Sequence, residues 1–266
     1  MLRRLIKSVF EKRGYLIVPF EQSTVIWEHD VEATRRIMRD MRPVSTDREL
    51  RRFGGESDGA YLIPDDLEGV QAVFSPGVAE VATFEEQMAA RGIECYLADA
   101  SVEAPPVKSS RIHFLRKYVG SRDCEKYIRL DTWVDQCAPG ESDLILQMDI
   151  EGAEWEALMS IPTELLMRFR IVVIEFHDTI RLLDCPLRRS AMERLLVTHD
   201  VVHLHVNNAG DIQDKFGLQF PKFLEVTYLR KGRANLQGLS RTIPHPLDVI
   251  NVPGRSPLDV PDCWLR

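Results

Sequence analysis

The sequence predicts a single α/β domain built on a mainly parallel, doubly wound sheet of seven strands. From residue 70 onward, short apolar runs alternate with amphipathic segments, which is the pattern of a sheet flanked by helices. The length of 266 residues suits one such domain with additions. With 44% hydrophobic and 28% charged residues, the chain has an ordinary globular composition and enough apolar side chains for a large core.

Seven apolar runs have the length and residue content of strands. They cover residues 70–75, 93–98, 111–119, 143–150, 170–176, 201–206 and 223–229. Helices are predicted over residues 79–91, 130–137, 152–159 and 187–199. The last two strands are joined by a loop without a convincing helical pattern. We therefore expect them to pair antiparallel at one edge of the sheet.

Two further regions flank this domain, which we place at residues 51–231. Residues 1–50 are predicted to form an N-terminal helical arm, with a basic amphipathic helix over residues 1–13 and a second helix over residues 30–52, interrupted at Pro43. The first helix could lie on an anionic membrane surface or dock on the domain. Residues 232–266 are rich in proline and glycine and are predicted to form an irregular tail.

Charge, cysteine content and missing motifs exclude several classes of protein. The formal net charge of -7 argues against a general nucleic-acid binder, because a phosphate backbone attracts a basic surface. The five cysteines form no CxxC pair, which favours a reducing compartment. No apolar run is long enough for a membrane span or a signal peptide, so we expect a cytoplasmic protein. The chain also has neither a P-loop nor a G-x-S-x-G elbow.

The turn after the first predicted strand of the sheet has a single glycine, Gly77. A dinucleotide-binding turn would need three spaced glycines, so this turn suits a nucleoside ligand without phosphates. Asp99 follows the second strand, 22 residues later, where a carboxylate can accept hydrogen bonds from ribose hydroxyls. An aspartate at such a position can equally cap a turn, and the spacing alone leaves both interpretations open.

Three predicted strands end in polar side chains that are two residues apart and therefore point to the same side. These are Asp149 with Glu151, Glu175 with His177, and His203 with His205 and Asn207. The carboxyl ends of neighbouring parallel strands open onto one crevice, so we expect the three groups to meet there. The alternative is that individual histidines are buried structural residues.

The segment LILQMDIEGAEWEAL resembles the most distinctive signature of the FkbM family of S-adenosylmethionine (SAM) dependent methyltransferases. The blocks SDGAYLIP, FSPGVAEVATFE, IRLDTWVDQ, IVVIEFHD, VVHLHVNNAGD and LEVTYLR resemble other parts of that family, in the same order, over about residues 51–231. The resemblance implies a Rossmann-like class I methyltransferase fold, SAM as cofactor and an oxygen atom as methyl acceptor.

The resemblance also implies roles for individual residues. Gly77, Glu80 and Asp99 are expected to bind SAM, with Asp58 and Tyr61 as further candidates, and Asp149 is expected to face the methyl group. Ala79 departs from the family, whose members commonly have a second glycine there. An alanine adds a methyl group that would narrow the cofactor turn.

Methyl transfer to a hydroxyl requires that its proton be removed, which a base or a divalent metal can achieve. We predict that Asp149, His177 and His205 are catalytic. Mixed oxygen and nitrogen donors suit Mg, Mn, Fe or Zn. The predicted metal ligands are Asp149, Glu175, His177, His205 and Asn207.

The predicted acceptor is a small molecule or glycan, meaning a hydroxyl of a sugar, glycan or small natural product. Two rival hypotheses remain: a non-catalytic module that binds a nucleoside or sugar, and a metal-dependent enzyme with a different reaction. No nucleic-acid partner is expected. Peripheral membrane contact through residues 1–13 and an oligomeric state stay open.

Overall fold

The computed structural model describes the backbone of residues 15–20 and 23–266, and the side chains from residue 29 onward. The helix predicted over residues 1–13 lies outside these described residues. Within them, no helix has both the length and the apolar character that a membrane crossing requires.

The N-terminal region mixes strands with one helix. It contains β1 (Tyr15–Phe20), β2 (Ser23–Glu28), α1 (Val31–Asp40), β3 (Val44–Thr46), β4 (Leu50–Phe53) and β5 (Tyr61–Pro64). Strands β1 and β2 pair antiparallel, as do β4 and β5.

The prediction of a second helix over residues 30–52 is wrong beyond Asp40, and the region from 15 to 50 is not purely helical. Asp30 caps the start of α1, where its side chain accepts a hydrogen bond from the Ala33 amide over 2.9 Å. Pro43 disfavours a helical conformation in the preceding residue and cannot donate a backbone hydrogen bond. The chain therefore continues as extended structure, and β3 pairs with a strand from the C-terminal tail.

The rest of the chain continues from β6 (Ala72–Pro76), α2 (Thr83–Ala90), β7 (Glu94–Ala98), β8 (Ile112–Leu115), β9 (Tyr118–Gly120), β10 (Tyr127–Arg129), α3 (Leu130–Cys137), β11 (Leu144–Met148), α4 (Glu154–Ser160) and α5 (Thr163–Leu166) to β12 (Phe169–His177). A 3-10 helix (Thr179–Leu182), α6 (Pro186–Thr198), β13 (His199–Val206), β14 (Ile212–Lys215), β15 (Leu218–Pro221), β16 (Phe223–Arg230), β17 (Leu236–Leu239) and a last 3-10 helix (Asp262–Trp264) follow.

The central sheet has seven strands in the order β13-β16-β12-β11-β6-β7-β8. Each overlaps one of the seven predicted runs, so the mixed α/β class and the mainly parallel sheet are confirmed. The run over residues 111–119 is split, because the chain turns after Leu115 and β9 pairs with β10 outside the central sheet. Strand β16 is antiparallel to both neighbours, and β13 forms the edge, which confirms the predicted antiparallel pairing.

The strand order reverses between β6 and β11. From β6 the chain first builds the sheet outward through β7 and β8, and then returns to build the other half from β11. In open α/β sheets a ligand crevice lies at such a reversal, beyond the carboxyl ends of the strands. Here the Asp149 amide donates a hydrogen bond to the Pro76 carbonyl over 3.2 Å, so the two strand ends lie side by side.

Two hydrophobic clusters cover the two faces of the sheet. Alternate residues of each central strand enter one or the other, as Leu146 and Ile145 do. Because these strands are buried on both faces, their sequences are nearly continuous apolar runs. Trp264, in the predicted irregular tail, is fully buried in the cluster that contains Leu146. The tail is mostly irregular, as predicted, but it packs on the core and contributes the short strand β17.

Candidate active site

A row of polar side chains crosses three strands near one end of the sheet. Glu175 on β12 is the register partner of Glu225 on β16, which in turn is the partner of His205 on β13. All three lie on the same face, because cross-strand partners share a side of the sheet. Glu225 was not among the site residues predicted from sequence. Its signal was a lone charge between Leu224 and Val226 in a strand that is otherwise buried.

One group of side chains surrounds His177, which ends β12. The Nε2 atom of His177 lies 3.3 Å from Glu151 Oε2, 3.6 Å from Glu175 Oε1 and 3.7 Å from Asp149 Oδ1. Its Nδ1 atom lies 3.4 Å from Oε1 of Glu154. We call this group the His177 cluster, made up of Asp149, Glu151, Glu154, Glu175 and His177.

Two buried atoms of the His177 cluster have no hydrogen-bond partner among the described residues. They are Oδ1 of Asp149 and Nδ1 of His177. Burial raises the pKa of Asp149 to about 7, and burial together with the Asp149 and Glu225 carboxylates raises that of Glu175 well above its usual range. Burial opposes the charged form of His177, but the Glu154 and Asp149 carboxylates outweigh it and raise its pKa.

Glu154 links two of the chain segments that form this site. It is fully buried, and its carboxylate accepts hydrogen bonds from the Gly152 amide over 2.9 Å and the His177 amide over 2.8 Å. The turn after β11 is thereby tied to the end of β12. Glu151 and Gly152 both have positive φ values, 56° and 99°, so this turn needs two consecutive left-handed residues. Glu154 belongs to the D-I-E-G-A-E signature, but it was not among the site residues predicted from sequence.

A second group surrounds His205 and includes residues of the tail. Asp248 Oδ1 accepts a hydrogen bond from His203 Nε2 over 2.8 Å and lies 3.8 Å from His205 Nδ1. Asn251 accepts a hydrogen bond from His205 over 3.0 Å and donates one to Glu225 over 2.6 Å. We call this group the His205 cluster, made up of His203, His205, Glu225, Asp248 and Asn251.

The charges of the His205 cluster reinforce one another. Burial opposes the protonation of His205, but the hydrogen bond to Asp248 and the Glu225 charge raise its pKa to about 9. Burial also opposes ionisation of Asp248, yet its contacts with His203 and His205 keep its pKa well below the usual range. The cluster therefore contains a charged, hydrogen-bonded pair near neutral pH.

Asn207 and Asp58 lie between the two clusters. The Asn207 amide donates hydrogen bonds to Glu175 over 2.8 Å and to Asp58 over 3.3 Å, and Asn251 donates one to Asp58 over 3.0 Å. The structure thus divides the predicted metal ligands. Asp149, Glu175 and His177 meet in one cluster, whereas Asn207 presents its amide nitrogen to carboxylates and His205 belongs to the other cluster.

Gly77 lies directly against Asp149. A Cβ atom on Gly77 would come within 1.5 Å of the Asp149 carbonyl oxygen, and its φ is 83°, so only glycine fits there. Asp58, Tyr61, Gly77 and Asp149 all line one cavity of about 130 Å³. This volume is below the roughly 300 Å³ at which pockets for whole small molecules begin. The cavity is therefore large enough for only part of such a ligand.

Asp99 was predicted either to bind ribose hydroxyls or to cap a turn, and in the structure its side chain makes the contacts of a turn cap. Its Oδ2 accepts a hydrogen bond from the Ala79 amide over 2.9 Å, and its Oδ1 accepts bonds from the Ser101 amide and hydroxyl over 2.7 and 2.6 Å. Asp99 therefore holds the turn after β6 in place. Glu80 is exposed and does not line the cavity.

Comparisons with known proteins do not assign a family. No family model matches the chain, and no curated protein matches it. A solved structure described as a fibrillarin/Nop5p complex is similar over 62% of this chain and 74% of that chain, with 14% identity and a TM-score of 0.37. A similarity of this size assigns neither an evolutionary family nor an activity. The FkbM resemblance stays a prediction.

Proposed function

We propose that this protein is a SAM-dependent O-methyltransferase that acts on a hydroxyl of a sugar, glycan or small natural product. One observation carries the proposal: Gly77 and Asp149 are in contact at the point where the strand order reverses. A turn suited to a nucleoside without phosphates therefore adjoins a carboxylate that has an unpartnered oxygen. The Rossmann-like strand order supports the same assignment.

The described residues fit the chemistry of SAM, whose methionine end carries an ammonium group, a carboxylate and a sulfonium and is therefore net cationic. The cavity beside Gly77 is lined by the carboxyl groups of Asp58, Glu85, Asp149 and Glu151, which suit a cationic ligand. The nucleoside would lie outside this cavity, against the turn that Asp99 holds in place, since the cavity volume suits only part of the cofactor. When bound, SAM supplies an electrophilic methyl carbon.

The His177 cluster would prepare the acceptor oxygen. Oδ1 of Asp149 has no hydrogen-bond partner and is the atom that we assign to accept the proton of the hydroxyl. His177 would stabilise the orientation of Asp149, because its Nε2 atom lies 3.7 Å from that oxygen. We assign no proton transfer to His205, since Asp248 and Asn251 already engage both of its ring nitrogens.

The decisive experiment combines SAM calorimetry with a turnover assay on a panel of hydroxyl compounds. We expect SAM to bind and S-adenosylhomocysteine to be released with at least one sugar or polyol acceptor. Absence of SAM binding would contradict the proposal. Binding without any release on the panel would support the second candidate, a non-catalytic nucleoside- or sugar-binding module, which the small cavity volume favours.

Substituting Asp99 tests the cofactor assignment separately. Asp99→Ala removes the carboxylate that holds the Ala79 amide, and we expect SAM affinity to fall by about 1–3 kcal/mol. Asp135→Ala, at an exposed position of α3, is the matched control and should leave affinity unchanged. Equal affinities of the two variants for SAM would withdraw the role of Asp99.

One further element of the proposal concerns location. Residues 1–13 carry five basic side chains on an amphipathic pattern and would bring the protein to an anionic membrane surface, where lipid-linked glycans are accessible. Vesicle co-sedimentation of the full chain, with and without anionic lipid, tests this contact. Equal sedimentation with both lipid compositions would exclude it.

A further inference from the structure

We infer that the His177 cluster binds a divalent metal ion of the first transition row through Asp149, Glu151 and His177, with Glu175 adjacent as a fourth donor. The role of this ion in catalysis rests on the proposed function, whereas its binding rests on the geometry of the cluster alone. The inference narrows the ligand set predicted from sequence, because it adds Glu151 and leaves out His205 and Asn207.

The donor atoms are spaced as metal ligands are. One donor atom each from Asp149, Glu151 and His177 lies within 4.8 Å of the other two, and His177 Nε2 approaches the oxygens of Glu151 and Asp149 to 3.3 and 3.7 Å. Ligands about 2.1 Å from an ion lie about 3 Å apart when adjacent and about 4 Å apart when opposite. Small side-chain rotations would therefore bring all three atoms onto one ion.

The side chain of His177 is the observation that points to a ligand rather than to a chance gathering of acids. It is only 7% exposed, and its Nε2 atom faces three carboxylates without hydrogen-bond geometry to any of them. Oδ1 of Asp149 is also buried and unpartnered. Buried polar atoms are almost always satisfied, so two such atoms in one small space indicate a missing partner.

The charges of the cluster favour a cation. Four carboxyl groups surround one imidazole, and in the described part of the chain no lysine or arginine forms a salt bridge with any of the four. If all four were ionised, a single protonated imidazole would leave an excess of negative charge in a largely buried space. A divalent ion bound by Asp149 Oδ1 would compensate this charge. In the metal-bound protein the ion, rather than this oxygen, would lower the pKa of the acceptor hydroxyl.

The neighbouring acidic group does not have the features that indicate a metal site. Asp58, Glu175 and Glu225 also gather their oxygens within 4.8 Å, but the amides of Asn207 and Asn251 donate hydrogen bonds to all three. Their negative charge is thus met by internal donors. The mixture of two carboxylates and one imidazole around His177 favours Mn²⁺, Fe²⁺ or Zn²⁺ over Ca²⁺, which prefers oxygen ligands only.

The test uses Mn²⁺ as the probe, on the full chain and without SAM. Titration followed by electron paramagnetic resonance should give one tight site, and pulsed measurements should detect the ¹⁴N coupling of a bound imidazole. Glu151→Gln should weaken Mn²⁺ binding at least about 10-fold. Glu151 is 86% exposed, so this variant should keep the fold.

Glu225→Gln is the matched control, since it removes one charge from the neighbouring acidic group. Its Mn²⁺ affinity should stay within about 2-fold of the unchanged protein. Equal weakening by both substitutions, or a bound Mn²⁺ without ¹⁴N coupling, would overturn the inference. Failure of SAM binding in the earlier assay would leave this result unaffected, so the two proposals can fail separately.

Discussion

The His177 and His205 clusters lie along the same edge of the sheet and contain similar side chains, yet they differ in how their polar atoms are satisfied. In the His205 cluster, hydrogen bonds link both histidines to Asp248 and Asn251. In the His177 cluster, two buried atoms have no partner. Leaving a buried polar atom unpaired costs about 1–3 kcal/mol, so the first cluster stabilises the fold, whereas the second fits the ligand-binding role that we propose.

The two clusters also differ in their charge. The His205 cluster has two histidines for two carboxylates, Glu225 and Asp248, whereas the His177 cluster has one histidine for four carboxyl groups. A histidine near a strand end therefore indicates a functional site only when the side chains around it are also known. Three predictions test the contrast, beginning with the largest effect.

The largest effect is expected from removing the imidazole of the His177 cluster. Under the proposed function, His177→Gln should lower kcat for methyl transfer by about 100-fold or more, because the group proposed to orient Asp149 is lost. Nδ1 of His177 has no hydrogen-bond partner, so the urea unfolding midpoint should change little. Steady-state kinetics and urea unfolding measure the two quantities.

His113→Gln is the matched control for this substitution. His113 is exposed on β8 and contacts Glu94, far along the sheet from the His177 cluster, so its kcat should be unchanged. An unchanged kcat in His177→Gln would remove this cluster from the reaction.

The next effect concerns stability. Asp248→Ala leaves His203 and His205 buried without their carboxylate, and we expect the free energy of unfolding to fall by about 3 kcal/mol. Asp259→Ala, an exposed position of the same tail, should cost less than about 0.5 kcal/mol. Urea unfolding of both variants measures the difference. Equal losses would show that Asp248 does not hold the tail to the sheet.

The pH dependence sharpens this prediction. The pKa of His205 is raised to about 9, so its stabilising contribution is complete below the unfolded value of about 6.5 and is lost as pH rises through 9. The contribution of Asp248, whose pKa is lowered, is present above about pH 4. The stability difference between the unchanged protein and Asp248→Ala should therefore be greatest between about pH 4 and 6.5 and smaller at pH 9.5. A difference that does not change with pH would refute the charged pair.

The smallest effect on stability is expected at the turn after β6, outside both clusters. Ala79 has a φ of 40°, a conformation that costs an alanine energy and a glycine almost none. Ala79→Gly should raise the free energy of unfolding by about 0.5–1 kcal/mol without weakening SAM binding. Ala90→Gly in α2 should have the opposite sign, because glycine disfavours a helix. A destabilised Ala79→Gly variant would contradict the strain at this turn.

The central sheet could be predicted because each of its strands is buried on both faces and therefore forms a continuous apolar run. The polar pairs could be recognised from their two-residue spacing. The partners of those pairs could not. Asp248 lies 45 residues after His203, in a tail without periodicity, and no local pattern links them. His177 and His205 have similar sequence contexts, and only the tertiary contacts distinguish a ligand-facing imidazole from a structural one.

The contact between Gly77 and Asp149 also limits how the protein can be altered in the laboratory. Any side chain at position 77 would meet the Asp149 carbonyl and push apart the ends of β6 and β11. The turn after β6 and the turn after β11 therefore meet at a contact that only glycine allows, so neither turn can be altered without affecting the other. Random libraries aimed at new acceptors should therefore keep position 77 as glycine.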